Sequence, residues 1–489
     1  MGNSLTRFTV NVNFREEFRR IGGHKAQDSD GFTNGNAING DMDEESPLLG
    51  HTVSRDPGEY SFWRHLLLDR KSSPGTDSSN PLVKFLARIW NVTKVTLLSS
   101  WINILLLFVP LGLFAGKAEW GAVWVFSLNF FAIIPLAAVL SFATEEIAHR
   151  LGETLGGLVN ATFGNAVELI VSVVALRAGE IEVVQASMLG SILSNLLLVL
   201  GMCFLLGGIY NMHAPDGSAT EQIFAQGTAQ TTCSLMALSS ASMIIPAALY
   251  GVLDKADAHD KADSILVLSR GTSIILLCLY CLYLFFALHT HKKLFEPEQQ
   301  NGAATANGEG ATAVAEEEEE EEPLLGPWSA ALVLVAVTVL ISFHADYMVD
   351  SIDALVATGK ISKNFIGLIL IPIVGNAAEH VTACVVAVKN KMDLAMGVAI
   401  GSSIQIALLV TPSLVMLGWA IGQPMTLHFE TFETIAFAVA VIIVTYTVQD
   451  GKSNYLEGAM LLGLYVIIAL AFWASPTKAL DRVLAMVQN

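Results

Sequence analysis

Glu168 and Glu379 carry the most chemistry in this chain, because each interrupts a long apolar segment within the same short phrase. Gly164-Asn165-Ala166-Val167-Glu168 recurs as Gly375-Asn376-Ala377-Ala378-Glu379, and a Gly-Ser pair follows each copy, Gly190-Ser191 and Gly401-Ser402. Both elements repeat at a spacing of 211 residues. A carboxylate in bilayer-length sequence is costly and points to an ion path. Asn and Glu three residues apart share one face of a helix, and the small residues between them let a second helix pass closely. Two such faces would offer two carboxylates and several neutral oxygens. That set suits Ca²⁺, which takes about six to eight oxygen ligands, and suits Mn²⁺ nearly as well. Two carboxylates also balance one divalent ion. When the ion leaves, buried like charges take up protons, so exchange of metal for protons needs no extra device.

Other polar residues are candidates for the same centre. Ser191, Ser194 and Asn195 follow the first glutamate, and Ser402, Ser403 and Gln405 follow the second, with Ser402 and Gln405 on one helical face. Ser194, Asn195 and Ser403 read most simply as helix–helix hydrogen bonds. His380, beside Glu379, is placed to carry or gate a proton, with helix packing as the alternative. Pro372 removes an amide, which frees the carbonyl of Leu368 to coordinate or to bend the helix. Glu145 and Asp346 follow Ser141-Phe142 and Ser342-Phe343 at matching offsets near span ends, and would line a vestibule or take part in transport.

These residues need a membrane scaffold. The chain has 489 residues, 53% hydrophobic and 15% charged, with mean hydropathy +0.54. Its apolar residues fall in long runs, which excludes the short alternating strands of a β-barrel. Spans are expected at about 98–116, 121–147, 155–177, 181–210, 228–253, 264–289, 327–348, 365–388, 394–420, 428–449 and 455–474. The phrase then lies in the third and eighth spans. An odd number of spans separates the copies, so they run in opposite directions. The expected fold is an all-α polytopic membrane protein of about 11 transmembrane helices: one lone helix plus two inverted five-helix repeats, an architecture of secondary transporters. In domain terms this gives a disordered tail over 1–80, an interfacial segment over 81–97, the first helix over 98–116, one repeat over 121–289, an acidic linker over 290–326, a second repeat over 327–475 and a tail over 476–489.

Charge gives the orientation. Lys84, Arg88, Lys94, Arg150, Lys292, Lys293, Lys389 and Lys391 fall on one side, which the positive-inside rule makes cytosolic together with the N-terminus. Lys255, Lys261, Lys360 and Lys363 oppose this, so the bias is modest. The net charge of −18 owes seven acids to the linker run Glu316, Glu317, Glu318, Glu319, Glu320, Glu321 and Glu322, which reads as a solvated spacer or a sensor of cytosolic cations. No basic patch invites nucleic acid. The five cysteines lie in predicted spans, and the Cys278/Cys281 spacing reads as packing. A nucleophile–base pair and a His cluster are both lacking, so an enzyme is not expected.

On the double Gly-Asn-Ala-x-Glu phrase, the stretch Gly156-Gly157-Leu158-Val159-Asn160-Ala161-Thr162-Phe163 before its first copy, His380 after its second, the Gly-Ser pairs and the acidic run, the chain resembles the cation/proton exchanger family of the CaCA superfamily, in particular fungal vacuolar Ca²⁺/H⁺ exchangers. The resemblance covers roughly residues 95–475. It implies an eleven-helix antiporter in the vacuolar membrane that moves cytosolic Ca²⁺ into an acidic lumen. Glu168 and Glu379 would share Ca²⁺ and H⁺, Asn165, Asn376, Ser402 and Gln405 would support them, and the acidic run would concern cytosolic Ca²⁺. No cofactor is implied beyond the transported ions. A Na⁺-coupled exchanger is the nearest alternative, and a passive channel a further one. The tail adds an N-myristoylation pattern at Gly2 and a dileucine match at Leu48-Leu49, where a sorting adaptor would bind.

Overall fold

A computed structural model of the chain describes residues 78–212, 221–253, 258–295, 323–358 and 361–474. The early tail with Leu48 and Leu49, the run Glu316 to Glu322 and the C-terminal tail lie outside the described residues. The chain forms two units that divide at Trp101. In the smaller one, α1 (Pro81–Leu97) starts where the Asn80 side chain accepts the Leu82 N–H at 3.1 Å and Pro81 fills the first turn. Leu82, Phe85, Leu86 and Ile89 form an exposed apolar stripe. Lys84 and Arg88 lie between them in sequence.

The larger unit is helical. Its elements are α2 (Trp101–Lys117), α3 (Ala122–Gly152), α4 (residues 153–163), α5 (Ala166–Arg177), α6 (Ile181–Asn211), α7 (Gln226–Val252), α8 (His259–Thr290), α9 (Pro327–Ala357), α10 (Lys363–Gly375), α11 (Ala377–Val388), α12 (Met392–Ile421), α13 (Thr431–Thr447) and α14 (Tyr455–Ala474). Seven described helices are long and apolar enough to cross a bilayer, and up to nine are if bent pairs count as single spans. α13 is an apolar helix of only 17 residues, short of the expected 428–449. A two-stranded ribbon, β1 (Gln222–Ile223) with β2 (Lys452–Ser453), pairs antiparallel between two loops.

Packing follows residue size and apolar content. α6, α3 and α12 bury most of their apolar surface, whereas α7, α8, α9 and α14 turn most of theirs outward, as lipid-facing helices do. α3 lies along α9, α6 packs on α10, α11 and α14, α7 on α13, and α8 on α12. α3 and α4 join without a loop at Gly152, whose φ of +76° suits a residue without a Cβ.

The phrase itself departs from expectation. A continuous helix was expected through each copy, but each Asn has left the helix: Asn165 has φ −103°, ψ 28° and Asn376 has φ −91°, ψ 1°. α10 and α11 meet at 59°. Each glutamate therefore sits in the first turn of a new half-helix, where backbone N–H groups lack intrahelical acceptors.

Candidate functional site

The two half-helix starts face α6 and α12, and the residues between them form a connected polar network. Asn165 Nδ2 donates to Gln405 Oε1 at 2.6 Å, Ser402 Oγ donates to Asn165 Oδ1 at 2.7 Å, and Asn195 Nδ2 donates to Ser402 Oγ at 3.1 Å. Ser402 is also within hydrogen-bond reach of the Glu379 carboxylate. Its single proton cannot serve Asn165 and Glu379 together. Glu168 is close enough to Glu379 for their charges to repel. It is buried and leans on the other copy's backbone: a Cβ at Gly375 would stand 2.5 Å from Glu168 Oε1. A methyl there would push the carboxylate out of this position. The structure therefore joins Glu168, Glu379, Asn165, Ser402, Gln405 and Asn195.

Several buried polar atoms near this network have no partner. Asn376 Oδ1 and Nδ2, Glu379 Oε2, Asn195 Oδ1 and Ser191 Oγ are all without a hydrogen-bond partner. Buried polar atoms are almost always paired, so the four unsatisfied oxygens among these, Asn376 Oδ1, Glu379 Oε2, Asn195 Oδ1 and Ser191 Oγ, fit a visiting cation. Among the described residues no cluster of three or more His, Cys, Asp or Glu side chains could hold a metal. Two carboxylates with neutral oxygens are what the site offers.

His380 Nε2 lies 3.2 Å from Ser194 Oγ on α6, so the histidine is tied to the opposite half. Ser403 donates to the Ala399 carbonyl of its own helix. Asp346 is not brought in; its charged neighbours are Asp350 and Arg177. Glu145 is buried in α3, beside a residue with a different partner: Glu146 accepts the Leu324 N–H at 3.2 Å and the Leu325 N–H at 2.8 Å, while Arg150 donates to the Leu325 carbonyl. That clasp was not foreseen, because nothing local in the sequence links residues so far apart. The Leu368 carbonyl, expected to be freed by Pro372, lies where a Cβ on Gly190 would collide with it. π-helical turns at Ile366–Leu370, Ser194–Val199 and Ile406–Val410 flank the site, a register often found at functional positions.

The model of the sodium/calcium exchanger protein family matches residues 121–289 and 329–474. A vacuolar calcium ion transporter of Schizosaccharomyces pombe is 49% identical over 89% of this chain and 94% of its own length. A Ca²⁺/H⁺ antiporter of Aphanothece halophytica is 42% identical over 76% of this chain and 96% of its own. The solved structure of native YfkE is similar with a TM-score of 0.61 at 33% identity, over 76% of this chain and all of that one.

Proposed function

The chain belongs to the sodium/calcium exchanger protein family, and from that premise we propose that it exchanges cytosolic Ca²⁺ for lumenal H⁺ across the vacuolar membrane. It is a secondary active antiporter and not an enzyme. The observation that carries this reading is the pair Glu168 and Glu379, held together from two copies of one phrase amid unsatisfied buried oxygens. Ca²⁺ binds between the carboxylates; protons replace it when access switches, because two buried like charges without a counterion are costly. Asn165, Asn376, Ser402, Gln405, Ser191 and Asn195 shape the site, and His380 passes or gates the proton.

The finer architecture belongs to the same proposal. Counting α2, α3, α4–α5, α6, α7, α8, α9, α10–α11, α12, α13 and α14 gives eleven spans, with α2 alone and five spans in each inverted repeat. The N-terminus is then cytosolic. Loops at Arg150 and Lys389 to Lys391 lie on that same side. Glu145 and Asp346 line the approaches, and Glu316 to Glu322 gather cytosolic cations. Mn²⁺ shares the site, Leu48-Leu49 meets a sorting adaptor, and the chain associates with its own copies.

Vesicles containing the purified full chain provide the test. Ca²⁺ uptake should follow an imposed pH gradient, and Glu168→Gln or Glu379→Gln should abolish it. Parallel runs with Mn²⁺ as cargo and Na⁺ as counter-ion separate the variants of the proposal. Uptake indifferent to the pH gradient, or driven by Na⁺ instead, would overturn it.

A further inference from the structure

A second buried polar group stands apart from the glutamate centre, where α2, α3 and α9 meet. His344 of α9 is fully buried, and its Nδ1 lies 2.6 Å from Asn129 Oδ1 of α3. Asn129, also fully buried, donates through Nδ2 to the Val125 carbonyl at 2.7 Å and the Gly112 carbonyl at 3.4 Å. Its Oδ1 is therefore the acceptor, and the proton between the rings and amide belongs to His344 Nδ1. The Nε2 atom then carries a bare lone pair, and it has no hydrogen-bond partner. α2 closes over the ring through Gly112, where a Cβ would stand 2.9 Å from Asn129 Oδ1 and 3.2 Å from His344 Nδ1. Gly116, one turn on, lets the Tyr347 ring approach in the same way.

Among the described residues packed around it, no charged group balances this ring. Residues 108–116 of α2 and 122–136 of α3 contain no titratable side chain. α5 offers Glu168 at the site and Arg177 at the far end, near Asp346; α9 itself adds Tyr347, Asp350 and Asp353, the last paired with Lys363. Intramembrane ionisable residues are rare and usually functional.

We propose that His344 is a proton-binding site, distinct from the glutamate pair, that answers acid on the lumenal side and loosens the contact of α9 with α2 and α3. The side assignment rests on the eleven-span reading above. In the packed arrangement a proton on Nε2 would be a buried donor without an acceptor, which burial penalises. Once the three helices part, water supplies the acceptor and the imidazolium is stable. Acid therefore favours the parted arrangement by linkage, and the neutral ring favours the packed one. Asn129 has a complementary task, since it fixes the tautomer that leaves Nε2 ready.

The test uses the full chain in lipid with Glu168→Gln and Glu379→Gln both present, so that neither transport nor the glutamates contribute. Amide hydrogen exchange over 108–116 and 122–130 is followed from about pH 7 to about pH 5, with correction for intrinsic rates. Exchange should rise about tenfold with acid, and His344→Gln, which can still donate to Asn129, should remove the rise. Nitrogen-15 spectra should report Nδ1–H at neutral pH and a doubly protonated ring in acid. Asn129→Leu, which keeps the ring but removes its acceptor, identifies the same signal should His344→Gln not fold. A neutral ring throughout, or an unchanged acid response without His344, would overturn the proposal, and neither outcome touches the antiport itself.

Discussion

α4 and α10 lead into the two copies of the same phrase, yet they are packed in opposite ways. Leu155, Leu158 and Phe163 are 55%, 44% and 37% exposed, while their counterparts 211 positions on, Ile366, Ile369 and Val374, are 0%, 5% and 2% exposed. The facing helices agree. Gly190 and Ala186 of α6 press against Leu368 and Gly367, whereas a Cβ added at Gly401 or Gly397 of α12 would meet nothing within 4 Å. Similar residues in equivalent places differ in burial, so conformation and not composition makes the difference. In the proposed orientation α10 seals the lumenal side of the site and α4 leaves the cytosolic side open. Alternating access would require the two packings to exchange.

The sharpest contrast is between the paired glycines. Gly190→Ala should lower stability by about 2 kcal/mol, because a methyl there meets a backbone carbonyl that cannot step aside. Gly401→Ala should instead stabilise by up to about 1 kcal/mol, since helical alanine is favoured and the space is open. It should nevertheless slow exchange, because the methyl obstructs the reverse packing. Thermal unfolding and vesicle uptake, measured on both variants, check the opposite signs.

The asparagines give the next comparison. Asn165 makes two strong amide bonds into α12 while neither amide atom of Asn376 has a partner. Asn165→Ala should therefore cost about 1–3 kcal/mol of stability as well as Ca²⁺ affinity. Asn376→Ala should weaken Ca²⁺ uptake with stability nearly unchanged. Equal stability losses in the two variants would contradict the unequal packing.

A smaller effect tests the end of α3, just before α4. Glu146→Gln weakens a carboxylate that accepts two backbone N–H groups, and should cost about 1 kcal/mol, read as a lower unfolding temperature. The smallest lies at the sealed end. Lys363 bridges Glu180 at 2.9 Å and Asp353 at 2.6 Å, whereas the positions equivalent to Lys363 and Glu180 in the other halves are Gly152 and Lys391, which cannot pair. Lys363→Met should cost below about 1 kcal/mol, and the loss should shrink in high salt.

Much of this was legible in the sequence. The double phrase singled out both glutamates, which the fold brings together, and the face shared by Ser402 and Gln405 is the one that meets Asn165. Pro372 announced a disturbed backbone near Leu368, because a missing amide is a local fact. The break at each Asn was hidden, since Gly-Asn-Ala is tolerated inside helices and only the burial of Glu168 against Gly375 reveals why the chain turns there. Contacts across the halves, such as His380 with Ser194 and Glu146 with Leu324 and Leu325, depend on the tertiary fold and leave no local trace. The unequal packing of α4 and α10 left no local trace, because apolar residues line both at equivalent positions.

Cysteine crosslinking tests that inequality most directly. With the five native cysteines replaced, one pair, Ala186→Cys with Gly367→Cys, bridges the sealed contact, where a Cβ at Gly367 would stand 2.7 Å from Ala186 Cβ. A second pair, Gly157→Cys with Gly401→Cys, at the positions equivalent to Leu368 and Gly190 of the sealed contact, bridges the matching open one. In a chain carrying all four cysteines the account predicts that either disulfide forms but never both, that the 186–367 bond forms first, and that each bond stops exchange. Both disulfides in one molecule, or a 157–401 bond as fast as the other, would contradict it.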